Sequence, residues 1–406
     1  MKSPCEQQDL HSIEQTIEFL TELLKFELKT ETVDLLNAQQ RILAEEISAK
    51  VDVPAWDNSA MDGYAFNSLD LIGKNALPVS GIMAAGDNPN QCILRGHCVR
   101  IYTGAPIPQG VDTVVPQENC LVDGERIIFD EFEIGQNIRK QGEETQQGAV
   151  LLSKGTRLRA QEVGLLASQG YGQIKVFKPL RVGVFSSGNE LAIPGEPIRN
   201  GQIYDVNRYT LNALFKGWGL QVTHYPNLPD SLAATLASLD KASQEQDIIV
   251  TSGAVSVSEA DHIKAAVEQL GKINLWRVAI QPGKPFAFGK IGSAAWIGLP
   301  GNPAASLITS CIMVRPALLK AQGLEAKEPT PMRFKALFNH KSKVRQQYLQ
   351  ARLVQSEGKT SVELHPKQSS AMLANASWAD GLAVIPAFSA ITEGDRVEFI
   401  PYTAFF

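Results

Sequence analysis

Strand-like and helix-like segments alternate along residues 179–326, and this alternation constrains the fold more than any other feature of the sequence. Arg181–Phe185 and Asp247–Val250 are compact apolar runs that indicate buried strands. Asn207–Lys216 and Asp261–Leu270 carry apolar residues at helical spacing. Because strands joined through helices run parallel and need helices on both faces, this region predicts an α/β domain with a mostly parallel sheet.

A helical linking domain is predicted from residues 12–50 together with residues 145–178. Apolar residues recur at helical spacing after Ser12, and Asp34–Glu46 shows a second such pattern. A further helix is predicted at Arg159–Ser168. The N-terminal region of the chain is therefore expected to be helical and to be interrupted by an inserted domain.

Two regions favour short strands over helices. Residues 51–144 are rich in Gly, Pro, Asn and Asp and contain short apolar runs such as Cys98–Tyr102, which predicts a β-rich inserted domain. Residues 327–406 contain strand-like runs such as Arg333–Phe338 and predict a small C-terminal β-barrel. At 406 residues, the chain is long enough for such a multidomain α/β plus β architecture.

Charge and composition exclude several classes of protein. The net charge is −5 and the pI is near 5.8, so the chain lacks the basic character typical of nucleic-acid-binding proteins. The N-terminus has no apolar signal core, and no apolar run approaches the length of a membrane span. Scattered cysteines suit a reducing compartment, so we expect a cytoplasmic protein with no membrane contact. Cys92, His97 and Cys98 lie close together, but no second pair completes a zinc site.

Three turns that leave predicted strands combine glycine with hydroxyl or amide side chains, and ligands of open α/β sheets bind at such turns. Asn302 is the predicted N-cap of a helix whose first residue is Pro303, and a helix N-terminus attracts anions. Ordinary turn chemistry is the alternative for any single turn. Together the three turns predict a phosphate or pterin-like ligand. Their candidate ligand-binding residues are Ser186, Ser252, Gly253, Pro300, Gly301, Asn302 and Pro303.

A fourth loop, Pro282-Gly283-Lys284-Pro285, holds a cation between two prolines. A lysine on a stiffened backbone is well placed to bind an anion. The alternative is an exposed loop lysine, the usual position of this residue type. All four residues of this loop are candidate ligand-binding residues.

Four carboxylates are candidate catalytic residues: Asp62, Glu190, Asp230 and Asp261. Magnesium prefers oxygen ligands from one or two carboxylates together with phosphate. Glu190 and Asp261 follow two of the glycine turns, so these two are the predicted metal ligands. Asp230 taken alone is equally explained as a helix cap.

Seven motifs along nearly the whole chain resemble the MoeA family, which is related to the gephyrin E domain. The combination of the first and the last two is highly specific. In chain order the motifs are DNSAMDGYA (57–65), IYTGAPIPQGVDTVV (101–115), SGNEL (187–191), GQIYDVN (201–207), TSGAVSV (251–257), PGKPFAFG (282–289) and LPGNP (299–303).

The resemblance implies a homodimer in which each active site uses both subunits. It implies Mg²⁺-dependent transfer of molybdate into adenylyl-molybdopterin with release of AMP. A molybdopterin adenylyltransferase and apo-molybdoenzymes are the implied partners. The resemblance also adds three ligand-binding positions, which are Thr103, its neighbour Gly104, and Ser370. The residues that match functional positions of the family are Asp62, Thr103, Glu190, Asp230, Asp261, Lys284, Pro300, Pro303 and Ser370.

The chain also departs from the family pattern at the oxyanion end of the expected site. Gln281 and Gln350 stand where relatives usually place Lys and Arg, and Asn189, Ala254 and Ser258 replace an acid and two glycines. These changes leave open a catalytically weakened paralogue that acts as a cofactor-binding or protein-interaction scaffold. They equally leave open a compensated site whose positive charge is restored by one of three other arginines, Arg277, Arg345 or Arg352.

Overall fold

The computed structural model describes residues 10–253, 262–324 and 330–405. The chain forms two compact units. One unit contains Thr32–Gln39 and Leu43–Lys175, and the other contains the residues up to Glu31, Gln40–Ile42 and everything from Val176 onwards.

The N-terminal region is less helical than its apolar spacing predicts. Helix α1 spans Ile13–Leu23, and Ser12 caps it because its hydroxyl accepts from the Gln15 N–H at 3.1 Å. The predicted second helix at Asp34–Glu46 is wrong, since only Leu35–Asn37 forms a single 3₁₀ turn there. The N–H groups of Leu43 and Ala44 instead donate to distant carbonyls, those of Thr156 and Lys175. The predicted helix at Arg159–Ser168 is confirmed as α2, Ala160–Ser168.

The first unit is built around a six-stranded sheet with the order β4-β1-β3-β2-β6-β5. Its buried side chains form two clusters, one around Phe66 and Phe129 and one around Val99 and Val114. This β-rich region agrees with the composition of residues 51–144. Its strands are β1 Gly63–Phe66, β2 Ala76–Met83, β3 Cys98–Ile101, β4 Thr113–Pro116, β5 Cys120–Asp123 and β6 Arg126–Phe129.

A second six-stranded sheet forms the α/β part of the other unit, in the order β8-β7-β9-β12-β11-β10. Strands β8, β7, β9 and β12 are parallel, whereas β10 and β11 pair antiparallel at one edge. The predicted mostly parallel sheet is confirmed. The strands are β7 Arg181–Ser186, β8 Gln221–His224, β9 Ile248–Ser252, β10 Gly271–Arg277, β11 Pro285–Ile291 and β12 Ala294–Leu299.

Helices cover both faces of this sheet. Successive strand residues point to opposite sides, so each strand contributes side chains to both helical layers. Val250 packs into a cluster with Leu211 and the helical residues after Pro303, whereas Ile249 packs with Leu239 and Ile263 on the other face. The helices are α3 Val206–Gly217, α4 Leu232–Glu245, α5 His262–Leu270, α6 Pro303–Thr309 and α7 Arg315–Ala321, with a π-helical turn at Ser310–Val314 between the last two.

The C-terminal strands close into the predicted small barrel. Strand β14 pairs with β15 on one side and with β16 on the other, so the order β14-β15-β13-β17-β16 returns to its start. The sequence predicts the other four barrel strands but not the longest one, β14. The barrel strands are β13 Met332–Ala336, β14 Gln346–Ser356, β15 Lys359–Leu364, β16 Gly381–Ile385 and β17 Arg396–Pro401.

The described residues also form several shorter strands and one further α-helix. They are the strands Thr30–Asp34, Ile47–Ser48, Asn58–Ser59, Ile138–Arg139, Val150–Leu152, Gln173–Phe177, Leu191–Ala192, Ile203–Tyr204, Ile280–Gln281, His340–Lys341 and Ala390–Ile391, and the helix α8 Ala374–Trp378.

Within the described residues, one helical segment, Pro303–Ala321, has the length and apolar composition of a membrane span. The protein buries 78% of its apolar window, as expected for a helix in a protein core. It packs against α1 and against strands of the α/β sheet.

We predict that Phe399→Ala lowers the free energy of unfolding by about 3–5 kcal/mol, because it removes a buried ring from the barrel core. Phe399 is 0% exposed and contacts Phe334 edge-on. Phe388→Ala is the matched control, since Phe388 is 77% exposed, and its effect should stay within about 0.5 kcal/mol. Urea denaturation followed by circular dichroism measures both, and equal losses would contradict the barrel core.

Candidate functional site

The three glycine turns predicted from the sequence lie side by side. Strands β7, β9 and β12 are parallel neighbours, so their carboxyl ends meet at one edge of the sheet. The Ser187 N–H donates to the Ser252 carbonyl at 3.2 Å, and the Gly253 N–H donates to the Leu299 carbonyl at 3.2 Å. The chain thus brings backbone and hydroxyl groups of all three turns together.

Glycine is required where these turns touch. Gly253 has a φ of +94°, and a Cβ added there would lie 2.8 Å from the Ser187 hydroxyl oxygen. A Cβ on Gly301 would lie 3.4 Å from the Gly253 Cα. A side chain at Gly253 would push the first two turns apart, whereas the contact at Gly301 is an ordinary van der Waals distance.

Asn207 joins two of the turns, and its role was missed in the sequence analysis. Its side-chain nitrogen donates to the Ser252 hydroxyl oxygen at 2.6 Å and to the Gly301 carbonyl at 2.8 Å. Asn207 is only 8% exposed, and its Oδ1 and the nearby Ser186 Oγ are buried without hydrogen-bond partners. The only available signal was its presence in the GQIYDVN motif, because no local pattern reveals a contact across three elements.

A cavity of about 580 Å³ opens beside the converged turns. The predicted residues that line it are Gly253, Pro282, Gly283, Pro285, Pro300, Gly301, Asn302 and Ser370. Ser186, Ser252, Lys284 and Pro303 are not among the lining residues. Barrel residues complete the wall, including Arg345, Tyr348, Gln350, Gln368 and Ser369.

At the N-terminus of α6, where the sequence predicts an anion site, two backbone amides already have a partner within the protein. Pro303 is the first helical residue, as expected, but the Ala304 and Ala305 N–H groups both donate to the Ser370 carbonyl, at 3.0 and 3.2 Å. The Asn302 side chain makes no capping bond and instead donates to the Ser370 hydroxyl oxygen at 3.1 Å. The loop that carries Ser370 thus occupies amides that an anion would otherwise use.

Arg345, rather than Lys284, brings positive charge to the cavity. The Lys284 side chain is exposed and lies outside the lining. Arg345 is half-buried, lines the cavity and donates to the Ile280 carbonyl at 3.1 Å. Burial lowers the pKa of its guanidinium, which still remains charged at neutral pH. Arg352 pairs with Glu363 at 2.8 Å and stacks over the Trp378 ring instead.

Both glutamines that depart from the family pattern line this cavity. Ile280–Gln281 pairs in parallel with the start of β14, which brings Gln281 opposite Gln347. Gln281 and Gln350 therefore lie in the same wall as Arg345.

The first turn gathers two of the predicted carboxylates. The Glu190 carboxylate folds back over Gly188, where an added Cβ would lie 2.4 Å from Glu190 Oε2. The Asn189 side-chain nitrogen donates to Asp230 Oδ2 at 3.1 Å. Asp230 is therefore not the helix cap, which is Ser231. Both carboxylates are exposed and outside the cavity lining.

Asp261, the second predicted metal ligand, lies outside the described residues, as do Ala254 and Ser258. Within the described ranges, no group of three His, Cys, Asp or Glu side chains is arranged to hold a metal ion. Cys98 is buried with its Sγ directed at the Leu77 and Pro78 carbonyls, whereas Cys92 is exposed.

Asp62 and Thr103 form a tight pair in the unit that contains Leu43–Lys175. Asp62 Oδ1 accepts from the Thr103 N–H and from its hydroxyl, both at 2.7 Å. These two bonds, the backbone one first, lower the pKa of the exposed Asp62 carboxyl below its ordinary value. The adjacent Gly104 has a φ of +81° and donates to the Ser59 carbonyl at 2.8 Å. Asp62 is therefore held as an oriented carboxylate.

Three family models match successive parts of the chain. "MoeA N-terminal region (domain I and II)" matches residues 11–170, "Probable molybdopterin binding domain" matches residues 183–320, and "MoeA C-terminal region (domain IV)" matches residues 335–402. Together they cover both compact units in order.

Relatives and solved structures agree with these models. A molybdopterin molybdenumtransferase of Haemophilus influenzae is 41% identical over 77% of this chain and 78% of its own length. One from a Nostoc species is 36% identical over 88% and 85%. The structure of a molybdopterin biosynthesis MoeA protein from Pyrococcus horikoshii OT3 superimposes with a TM-score of 0.82 at 26% identity, covering 97% of this chain and 100% of that one. The chain therefore belongs to the MoeA family and is a transferase of molybdenum cofactor biosynthesis.

Proposed function

We propose that this transferase inserts molybdate into adenylyl-molybdopterin with Mg²⁺ and releases AMP. The observation that carries the proposal is the cavity in which Arg345 and two glutamines face the edge formed by the glycine turns. Its volume of about 580 Å³ is within the range of small-molecule sites. The curated relatives are named for the same type of transfer.

In this proposal, Arg345 and the side-chain amides of Gln281 and Gln350 hold the molybdate. The half-buried guanidinium faces less water than a surface charge, so its attraction for an anion is weakly screened. The bond to the Ile280 carbonyl fixes the arginine before the ligand arrives. In this proposal Arg345 supplies the positive charge that Gln281 and Gln350 lack, which favours a working enzyme over a decayed scaffold.

The glycine turns hold the pterin phosphate side of the substrate. Asn207 donates to the buried Ser252 hydroxyl oxygen and to the Gly301 carbonyl, so it holds two of the turns in place for the ligand. Gly253 and Gly301 let that ligand approach the backbone closely. The turns position the adenylylated pterin, and the cavity positions the oxyanion next to it.

Exposed carboxylates at the first turn suit magnesium. Glu190 and Asp230 offer hard oxygen donors next to the phosphate-binding edge, and this donor type is the one that Mg²⁺ prefers. Glu190, together with Asp261, would hold the ion. Bound Mg²⁺ supplies positive charge that neutralises the phosphoanhydride whose cleavage releases AMP.

We further propose a cytoplasmic homodimer that receives its substrate from a molybdopterin adenylyltransferase and delivers product to apo-molybdoenzymes. The motif carrying Asp62 and Thr103 supports a shared site, since the resemblance implies that each site uses both subunits. A C₂ dimer would then contain two equivalent sites.

Substitution of the acids tests the metal assignment. We predict that Asp62→Asn, Glu190→Gln and Asp261→Asn each lower the rate of AMP release at least about tenfold, because amides replace carboxylates poorly as Mg²⁺ ligands or proton acceptors. Asp123→Asn, at the exposed end of β5, is the control and should retain the full rate. Wild-type rates in all three variants would eliminate the assignment.

Removal of the half-buried cation tests the oxyanion pocket. We predict that Arg345→Gln raises the molybdate concentration for half-maximal insertion about tenfold to a hundredfold, since a bond to a charged group contributes about 1.5–3 kcal/mol. Arg352→Gln makes the same chemical change outside the cavity and should leave this concentration unchanged. An equal response of the two variants would exclude Arg345 as the anion's partner.

Mixed dimers test whether each site uses both subunits. We predict that Asp62→Asn and Glu190→Gln proteins, inactive alone, recover about a quarter of the wild-type rate after co-expression, because half of the dimers then contain one intact site. If each site lay within a single subunit, every chain would carry one damaged residue and no site would be intact. Absence of recovery would therefore reject the shared site.

A further inference from the structure

Gln350 carries an unused amide donor in the wall of the cavity. The residue lies on β14, lines the cavity and is only 3% exposed. Its side-chain nitrogen is buried and has no hydrogen-bond partner within the protein. Buried N–H groups are nearly always paired, so an unpaired one beside a cavity indicates where the acceptor atom of a ligand belongs.

Tyr402 determines which end of the amide faces the ligand. Its hydroxyl donates to Gln350 Oε1 at 2.5 Å. Burial raises the pKa of Tyr402 above its ordinary value, so this hydroxyl stays protonated and remains a donor. Because the amide oxygen is occupied, the NH₂ group is the end left over for the cavity.

The backbone of Gln350 is fixed as firmly as its side chain. The Gln350 N–H donates to Gln368 Oε1 at 3.1 Å, and Gln368 Nε2 donates back to the Gln350 carbonyl at 2.9 Å. A donor held at both ends loses little conformational freedom when a ligand binds.

Gln281 repeats this arrangement in the same cavity. Its Oε1 accepts from Gln347 Nε2 at 3.1 Å, and Gln347 Oε1 in turn contacts His340 Nε2 at 2.5 Å. The amide oxygen of Gln281 is therefore occupied, and its NH₂ group remains for the cavity.

We propose that Tyr402 is a positioning residue that aims the Gln350 amide at an oxygen of the bound oxyanion. Together with Gln281, this neutral donor lies in the same cavity wall as Arg345 and takes the place of the additional cations usual in the family. The inference rests on the proposed binding of molybdate in this cavity. It adds a residue outside the lining that sets the pocket's affinity through hydrogen-bond direction.

Direct binding of molybdate to the full-length protein tests the proposal by titration calorimetry, without any need for turnover. Gln350→Ala should weaken binding about tenfold, and Tyr402→Phe should weaken it several-fold because the freed amide can turn its oxygen towards the anion. The Tyr402→Phe, Gln350→Ala double variant should bind no more weakly than Gln350→Ala alone. A purely structural role of Tyr402 would instead make the two losses add.

Tyr225→Phe is the matched control. Its hydroxyl also donates to a side-chain oxygen, Glu245 Oε2 at 2.6 Å, but Tyr225 stacks on Phe185 away from the cavity. Molybdate binding should therefore be unchanged in this variant.

A second variant keeps the test independent of how well Tyr402→Phe folds. Gln350→Glu retains an acceptor for the Tyr402 hydroxyl but replaces the N–H donor with a carboxylate oxygen, so it should weaken binding more than about tenfold. Unchanged binding in Gln350→Glu, or additive losses in the double variant, would overturn the inference. Absence of molybdate binding in the wild type would instead reject the proposed oxyanion site itself.

Discussion

The parallel pairing of three neighbouring strands is the constraint on which the rest of the structure depends. Strands β7, β9 and β12 hydrogen-bond in parallel register, so the chain leaves all three at the same edge of the sheet. Glycines let the resulting turns touch, and Asn207 ties two of them together by donating to Ser252 and Gly301. Strand direction brings the three turns to one edge, and side chains then fix their contacts.

The barrel completes that edge by docking onto the α/β sheet. The first residues of β14 pair with Ile280–Gln281. This pairing fixes the loop after Gln281 against the cavity wall that carries Arg345. Gly283 has a φ of +109°, and a Cβ there would lie 2.2 Å from the Thr309 side chain, so the loop passes α6 closely only without a side chain. The cavity is therefore a product of domain packing rather than of one motif.

Features with a strong local pattern were predictable, and features created by packing were not. The helix predicted at Asn207–Lys216 is α3, Val206–Gly217, and the three glycine turns converge as expected. Apolar spacing in Asp34–Glu46 reflects pairing with distant segments, so it was misread as a helix. Lys284 between two prolines suggested an anion ligand, yet the direction of its side chain and the approach of Arg345 depend on tertiary structure. The same is true of Tyr402, which is remote in sequence from Gln350.

The Ser370 carbonyl has a consequence for how selectivity in this pocket can evolve. Main-chain amides at a helix end attract any anion, and no mutation can remove their charge preference. Here two such amides, of Ala304 and Ala305, are already occupied by Ser370. In the proposed oxyanion site, discrimination between anions would therefore depend on side chains, which single substitutions can change. The same backbone could then carry sites of different anion preference.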